Sequence, residues 1–234
     1  MTTKENMLQT LSSLIKSKQK KDRPLIVGIT GIDTSGKTQL TEDLYNYFQK
    51  SKQDTQIVHV DDFHNPKSLR YNSALSEADQ YYSLSININK LVNKVLKPIK
   101  EQGQLHCTLT HLDLLTDRMT LQRTYNVTSN TIVLLEGIFL LRPELYSFLD
   151  LSIFLAISED IAIERANIRD VPLQGKEVIG KYHTKYLPAQ RTYLSKYRPD
   201  LLADVIIDNS NWHQPAIIHW SQKMKEPMYA EQTY

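Results

Sequence analysis

Residues 31–38, Gly31-Ile32-Asp33-Thr34-Ser35-Gly36-Lys37-Thr38, match the pattern G-x-x-x-x-G-K-[ST] at every fixed position. Each part has a physical task. Backbone N–H groups converge on phosphate oxygens only if the loop is wide and turns on residues without side chains. A helix opening near Gly36 would add the positive end of its dipole. Lys37 supplies a charge that reaches the terminal phosphates, and the Thr38 hydroxyl is a ligand for Mg²⁺. The chain has only seven glycines, and Gly28, Gly31 and Gly36 fall close together. This loop is expected to bind a nucleoside triphosphate.

Three carboxylates follow apolar runs further along. Asp61 and Asp62 come after Gln56-Ile57-Val58-His59-Val60, and Glu136 after Thr131-Ile132-Val133-Leu134-Leu135. In an open parallel sheet, ligands lie beyond the carboxyl ends of the strands. A carboxylate there can take a proton from a hydroxyl, hold Mg²⁺ or orient its water ligands. Alternation along a strand sends neighbours to opposite faces, so Asp61 and Asp62 are not expected to serve the same atom. For Asp62, capping a following turn is an equal alternative.

These residues need a scaffold, and the hydropathy pattern supplies one. Leu25–Thr30 is a short β-branched run suited to a strand buried on both faces, and residues 56–60, 131–135, 151–157 and 204–207 repeat the theme. Leu40, Leu44, Tyr47 and Phe48 follow the loop at helical spacing. Ile86, Leu91, Val92 and Val95 mark a helix expected to close at Pro98, and residues 161–169 and 176–198 read as helix. The alternation predicts an α/β P-loop fold: a three-layer sandwich with a parallel sheet of about five strands. A lid is expected around residues 159–185. Leu8, Leu11, Leu14 and Ile15 place a helix in an N-terminal extension over 1–22, ahead of a main domain over 23–222 and a tail over 223–234.

The 234 residues are 41% hydrophobic and 23% charged, which suits one domain, and the net charge is +2. So even a balance argues against an electrostatic nucleic-acid binder. Cys107 is the sole cysteine, which excludes an intrachain disulfide. No apolar run approaches the roughly 20 residues of a membrane helix, and the start lacks the pattern of a secretory signal. A cytoplasmic protein with a small-molecule substrate, neither nucleic acid nor membrane as partner, is expected; homo-oligomerisation stays open. His106, Cys107 and His111 on an apolar hairpin lack the second metal-binding pair of a zinc site.

Taken together, the motifs resemble the uridine kinase and phosphoribulokinase family of P-loop kinases, which also includes bacterial pantothenate kinases. The resemblance rests on residues 28–38, on Val60-Asp61-Asp62-Phe63-His64, and on Leu134-Leu135-Glu136-Gly137-Ile138. Glu164-Arg165 through Arg169-Asp170 and Ala203 through Asp208-Asn209 continue it in order. It implies an ATP-dependent kinase with Mg²⁺, acting on an alcohol, most closely a nucleoside such as uridine or cytidine. Asp61 falls on the family's general base, with Lys37, Arg165 and Arg169 as the catalytic cations. Nucleotide contacts are implied for Gly31, Asp33, Thr34, Ser35, Gly36, Lys37, Thr38, Gln39 and Asp208, and metal contacts for Thr38 and Glu136. On the acceptor side the resemblance implies Asp61, Phe63, His64, Arg70, Tyr82, Asp113, Arg118 and Glu136.

Independently of resemblance, two arginines four apart share a helix face and can clasp one triphosphate. The alternative is a surface salt-bridge face with Glu164 and Asp170. The acceptor side departs from the uridine kinase pattern. Leu112-Asp113 stands for a Tyr-Asp pair, Asp117 for a His, Asn87 for the acid that holds a ribose diol, and Gln174 and Lys176 for lid arginines. Ala78 through Tyr82 and Tyr186 through Gln190 look like a bacterial uridine-kinase-like branch. The alternatives are therefore a kinase for another small alcohol, pantothenate or sugar-like, and a non-catalytic ATP-binding module. A regulatory GTPase is disfavoured, because neither an Asn/Thr-Lys-x-Asp nor an Asp-x-x-Gly motif occurs.

Overall fold

The computed structural model describes residues 3–71 and 74–220. Its centre is a six-stranded sheet of β1 (Leu25–Gly31), β2 (Thr55–His59), β5 (Ile132–Glu136), β6 (Leu151–Ala156), β7 (Val205–Asp208) and β8 (Ala216–Trp220). The spatial order is β2-β5-β1-β6-β7-β8. The first five are parallel, as the alternating pattern predicts, and β8 adds an antiparallel edge that it did not. β8 was missed because His219 and Trp220 interrupt its apolar run and three of its five residues are exposed. Outside the sheet, β3 (Leu105–Asp113) and β4 (Arg118–Val127) form a separate antiparallel hairpin.

Every residue of β1 is buried, and the strand serves both faces. Leu25, Val27 and Ile29 pack with Leu11 and Ile15 of the N-terminal helix Thr3–Lys18 and with Leu44 and Phe48 of the helix Lys37–Lys50. Ile26 points the other way, to Leu91, Val95 and Ile99 and to Tyr125 and Val127 of the hairpin. Period-two alternation in the strand and the apolar stripes of the helices thus produce three layers. A third cluster, rich in tyrosine, joins Tyr81, Phe139 and Tyr193 beside the carboxyl ends of the strands.

Pro98 does not close its helix. The segment runs on from Ile88 to Gln102 and stops at Gly103, whose φ is 69°. A wide π turn at Val92–Leu96 immediately precedes the proline. The same device recurs at Tyr182–Tyr186 ahead of Pro188, so the helix continues to Tyr197. Widening the turn removes the hydrogen bond that proline cannot donate and relieves its clash with the preceding turn. The tail expected over 223–234 lies outside the described residues. Among the described residues no helix is long and apolar enough to cross a membrane.

Candidate active site

The loop between β1 and the helix Lys37–Lys50 is built around two close approaches. Gly36 has a φ of 95°, and a Cβ there would meet Asn209 Nδ2 at 2.5 Å. At Gly31 a Cβ would lie 2.5 Å from Ser35 Oγ and 2.6 Å from Leu155 O. Asn209, just beyond β7, donates to Ser35 O at 2.7 Å and so braces the loop from two strands away. Lys37 Nζ donates to Ile32 O at 2.8 Å, across the loop's mouth. Ser35 Oγ is buried with no partner in the protein. A turn no side chain can fill and an orphaned hydroxyl fit a triphosphate held by backbone N–H groups.

Thr38 is exposed at the start of that helix. Among the described residues no cluster of three His, Cys, Asp or Glu side chains could cage a metal. Gln39 bonds to Asp43 along the helix surface, and Asp208 accepts from Ser210 N at 2.8 Å, closing the turn after β7.

The acids separate as expected, though for another reason. β2 ends at His59, and Val60–Phe63 is a 3₁₀ turn, so strand alternation does not apply to Asp61 and Asp62. Asp62 turns to the hairpin, where Arg123 Nε donates to it at 3.2 Å and His111 Nδ1 bonds its carbonyl at 2.9 Å. Asp61 stays open to solvent at the floor of the crevice. Protein packed around it raises its carboxyl above 3.8, with Glu136 and Asp33 adding to the rise and His64 and Lys37 opposing it. Glu136, at 5% exposure, ends β5 beside its register partner His59, whose Nδ1 lies 2.7 Å from Glu136 Oε1.

The hydrogen bond to Glu136 raises His59 above its ordinary 6.5, against burial, which lowers it. A raised folded pKa means that this contribution to stability is complete below about pH 6.5 and disappears as pH rises through the folded value. His59→Gln should therefore lower the urea midpoint more at pH 6 than at pH 9. With His59 37% exposed, the effect should be under about 1 kcal/mol. Equal losses at both pH values would show that the pair is not charged.

Asp33 forms a bridge that the sequence did not disclose. Its carboxylate accepts from Tyr81 OH at 3.0 Å and from Gln190 Nε2, while its N–H donates to Gln190 Oε1 at 3.2 Å. Tyr81 comes from the helix Glu77–Leu84 and Gln190 from Leu187–Tyr197. The only signal was indirect: both residues stand in runs that look like one family branch.

The two lid arginines have different partners. Arg165 donates to Thr34 O at 3.2 Å and to Asn209 O at 2.6 Å, so it lies against the phosphate loop. Arg169 pairs with Asp170, at 2.6 and 3.0 Å, and Tyr182 OH joins the same carboxylate. Sharing a helix face did not bring them together, because the buried Asp170 captures the nearer guanidinium.

On the acceptor side, a cavity of about 360 Å³ opens next to Asp61, whose carbonyl is bonded to His64 Nδ1 at 2.6 Å. His64 and Arg70 line it. Phe63 does not: at 1% exposure it packs edge-on to His111 in the core. Tyr82 is also turned aside, bonding Tyr197 OH at 3.1 Å under the Arg142 guanidinium, with its hydroxyl pushed up to about 12 chiefly by burial. Its neighbour Tyr81 lines the cavity instead. Asp113 caps the hairpin turn through Leu115 N and Thr116 Oγ1, and Arg118 is exposed beyond it. His111 spends both ring nitrogens on Asp62 O and Tyr125 OH.

A mostly parallel sheet with a phosphate loop after its central strand, and acids beyond nearby strands, is the arrangement of a P-loop nucleotide-binding protein. Residues 26–209 match the model of the Phosphoribulokinase / Uridine kinase family, and the chain belongs to that family. A uridine kinase of Limosilactobacillus reuteri is 24% identical over 212 residues, covering 89% of this chain and 94% of the relative. One from Lactiplantibacillus plantarum is 23% identical over 210 residues, covering 86% and 94%. A solved structure described as a possible uridine kinase from Bacillus stearothermophilus superimposes with a TM-score of 0.70 at 26% identity, covering 86% of this chain and 97% of that one. The protein is an ATP-dependent small-molecule kinase, a phosphotransferase acting on an alcohol.

Proposed function

We propose that Asp61 takes the proton of a small-molecule hydroxyl as that oxygen bonds to the γ-phosphorus of ATP and ADP leaves. The observation that carries this reading is the position of Asp61: solvent-accessible, and within electrostatic reach of both Lys37 of the loop and His64 of the cavity. Phosphoryl transfer asks chiefly for alignment and fixed charge. Lys37 and the loop N–H groups hold the phosphates, Thr38 and Glu136 hold or orient the metal, and Arg165 closes on the loop it already touches. Mg²⁺, when bound, would neutralise charge on the transferring oxygens. Arg169, tied to Asp170, positions the lid more than it contacts phosphate.

The relatives' names support a nucleoside acceptor, uridine, and cytidine belongs to the same chemical class. A different small alcohol is favoured by the acceptor side, where Asn87 is occupied as a helix cap, accepting from Lys90 N at 2.9 Å. The test is a panel of alcohols with ATP and Mg²⁺, scored by ADP release. Stimulation by one acceptor is expected, and release indifferent to every acceptor would favour a binding module.

The lid over 159–185 is proposed to close over ATP and exclude water. Limited proteolysis should then show slower cleavage within those residues on adding an ATP analogue and Mg²⁺. Unchanged cleavage there, with protection elsewhere, would place the moving segment outside this range.

A further inference from the structure

We infer that the alcohol accepted by this kinase carries a negatively charged group, a phosphate or a carboxylate, held in the cavity beside Asp61 by Arg70 and Lys185. The inference rests on the kinase reading and names the class of its second substrate. Four cationic side chains line the cavity, Lys67, Arg70, Lys181 and Lys185, against one carboxylate, Glu77. Glu77 is already engaged, accepting from Thr184 Oγ1 at 2.6 Å. Among the described residues, Lys67, Lys181 and Lys185 have no carboxylate within 4 Å.

Two of these cations are held in ways that preserve their charge for a ligand. Lys185 Nζ lies 5.4 Å from the Tyr71 ring, 5.6 Å from Tyr81 and 5.5 Å from Tyr186, positioned by aromatic faces and not by an acid. Arg70 keeps a side-chain exposure of 13%, and its Nε is buried without a partner among the described residues. Its nearest acid, Asp117, stands 3.7 Å away and also accepts from Lys67 N. A largely buried guanidinium with an unused donor is costly unless a ligand supplies the acceptor, and carboxylate and phosphate match its fork. None of the phosphate-loop residues lines this space; Lys181 and Lys185 reach it from the lid segment, and Arg70, Tyr71 and Tyr81 face them from the acceptor side.

An uncharged nucleoside finds little here. The position expected to hold a ribose diol is Asn87, spent on Lys90 N, and Asp113 is spent on its own turn. A neutral sugar would enter a cavity whose strongest groups it could not satisfy.

The test is calorimetric titration of the full chain, saturated with a non-hydrolysable ATP analogue and Mg²⁺ so that the phosphate loop is filled. Matched pairs serve as probes: ribose against ribose 5-phosphate, glycerol against glycerate, with uridine as the neutral nucleoside. At least one charged member should bind about tenfold or more tightly than its neutral counterpart and than uridine. Whether ribose 5-phosphate or glycerate does so separates phosphate from carboxylate. Arg70→Gln and Lys185→Gln should each weaken that binding about tenfold or more, with analogue affinity within about twofold of the parent, which also reports that the variants are folded.

Tightest binding by uridine or a neutral alcohol, or no binding by any charged probe, would overturn the inference. So would loss of analogue affinity in the two variants, which would assign these cations to the nucleotide. ADP release separates the two levels of the argument. Release stimulated by uridine alone leaves the kinase reading standing and removes the charged acceptor. Tight binding of a charged probe without any stimulated release removes the kinase reading and leaves the anion site.

Discussion

Asp61→Asn should leave ATP-analogue affinity nearly unchanged and lower acceptor phosphorylation by about 100-fold or more. The amide keeps the shape and hydrogen-bonding reach of the carboxylate and removes its basic, charged oxygen. Protein packed around Asp61 pushes its carboxyl up, with Glu136 and Asp33 adding to the rise; His64 and Lys37 oppose it, and the rise prevails. The acid limb of the kcat/KM profile should therefore lie above pH 3.8, the ordinary value for this group, and belong to Asp61. Asp62→Asn should cost much less turnover, because that carboxylate is paired with Arg123 on the hairpin. Steady-state turnover and analogue titration of both variants decide the matter. A dead Asp62→Asn beside an active Asp61→Asn would reverse the assignment.

Lys37→Ala should abolish measurable turnover, a loss on the order of 1,000-fold or more, and weaken the nucleotide as well. The lysine is the loop's own cation, and its Nζ already reaches back to Ile32 O. No neighbour substitutes, since Arg165 is committed to Thr34 O and Asn209 O. ADP release with the best acceptor, together with an unchanged melting temperature, is the measurement. Wild-type rates in a folded Lys37→Ala would mean that the loop is not where phosphate is transferred.

The parallel sheet and the phosphate loop were legible because both are written in local pattern. Buried strands need continuous β-branched runs, and a loop that wraps phosphate needs glycines at fixed offsets. The antiparallel β8 was not, since an edge strand has one exposed face and half a signal. Pro98 misled because its penalty was charged against a regular helix, whereas a widened turn at Val92–Leu96 absorbs it. In the site, Asp61 is in electrostatic reach of His64, Glu136 and Lys37, and His64 and Arg70 line one cavity. Phe63 and Tyr82 do not, because an aromatic beside a site residue can equally be core, and the choice between Tyr81 and Tyr82 depends on a helix phase that one residue reverses. The lysines of the cavity were invisible for a different reason. Lys181 and Lys185 stand four residues apart, but Lys67 and Arg70 lie more than a hundred residues earlier, and no spacing rule links the two groups.

The hydrogen-bonded bridge at Asp33 ties the phosphate loop to Tyr81, which lines the acceptor cavity, and to Gln190, beyond the lid. Two ligands that touch such a bridge from opposite ends do not bind independently. If filling the cavity shifts the Tyr81 hydroxyl, Asp33 and the backbone around it shift in energy too, and the nucleotide's dissociation constant changes by some factor. Thermodynamic reciprocity then fixes the reverse effect: the nucleotide must change the acceptor's dissociation constant by the same factor. Substituting Tyr81 with phenylalanine, which deletes one strut and keeps the ring, would push that factor toward unity without touching a phosphate contact. A single carboxylate of the loop thus links the two substrate sites of this enzyme.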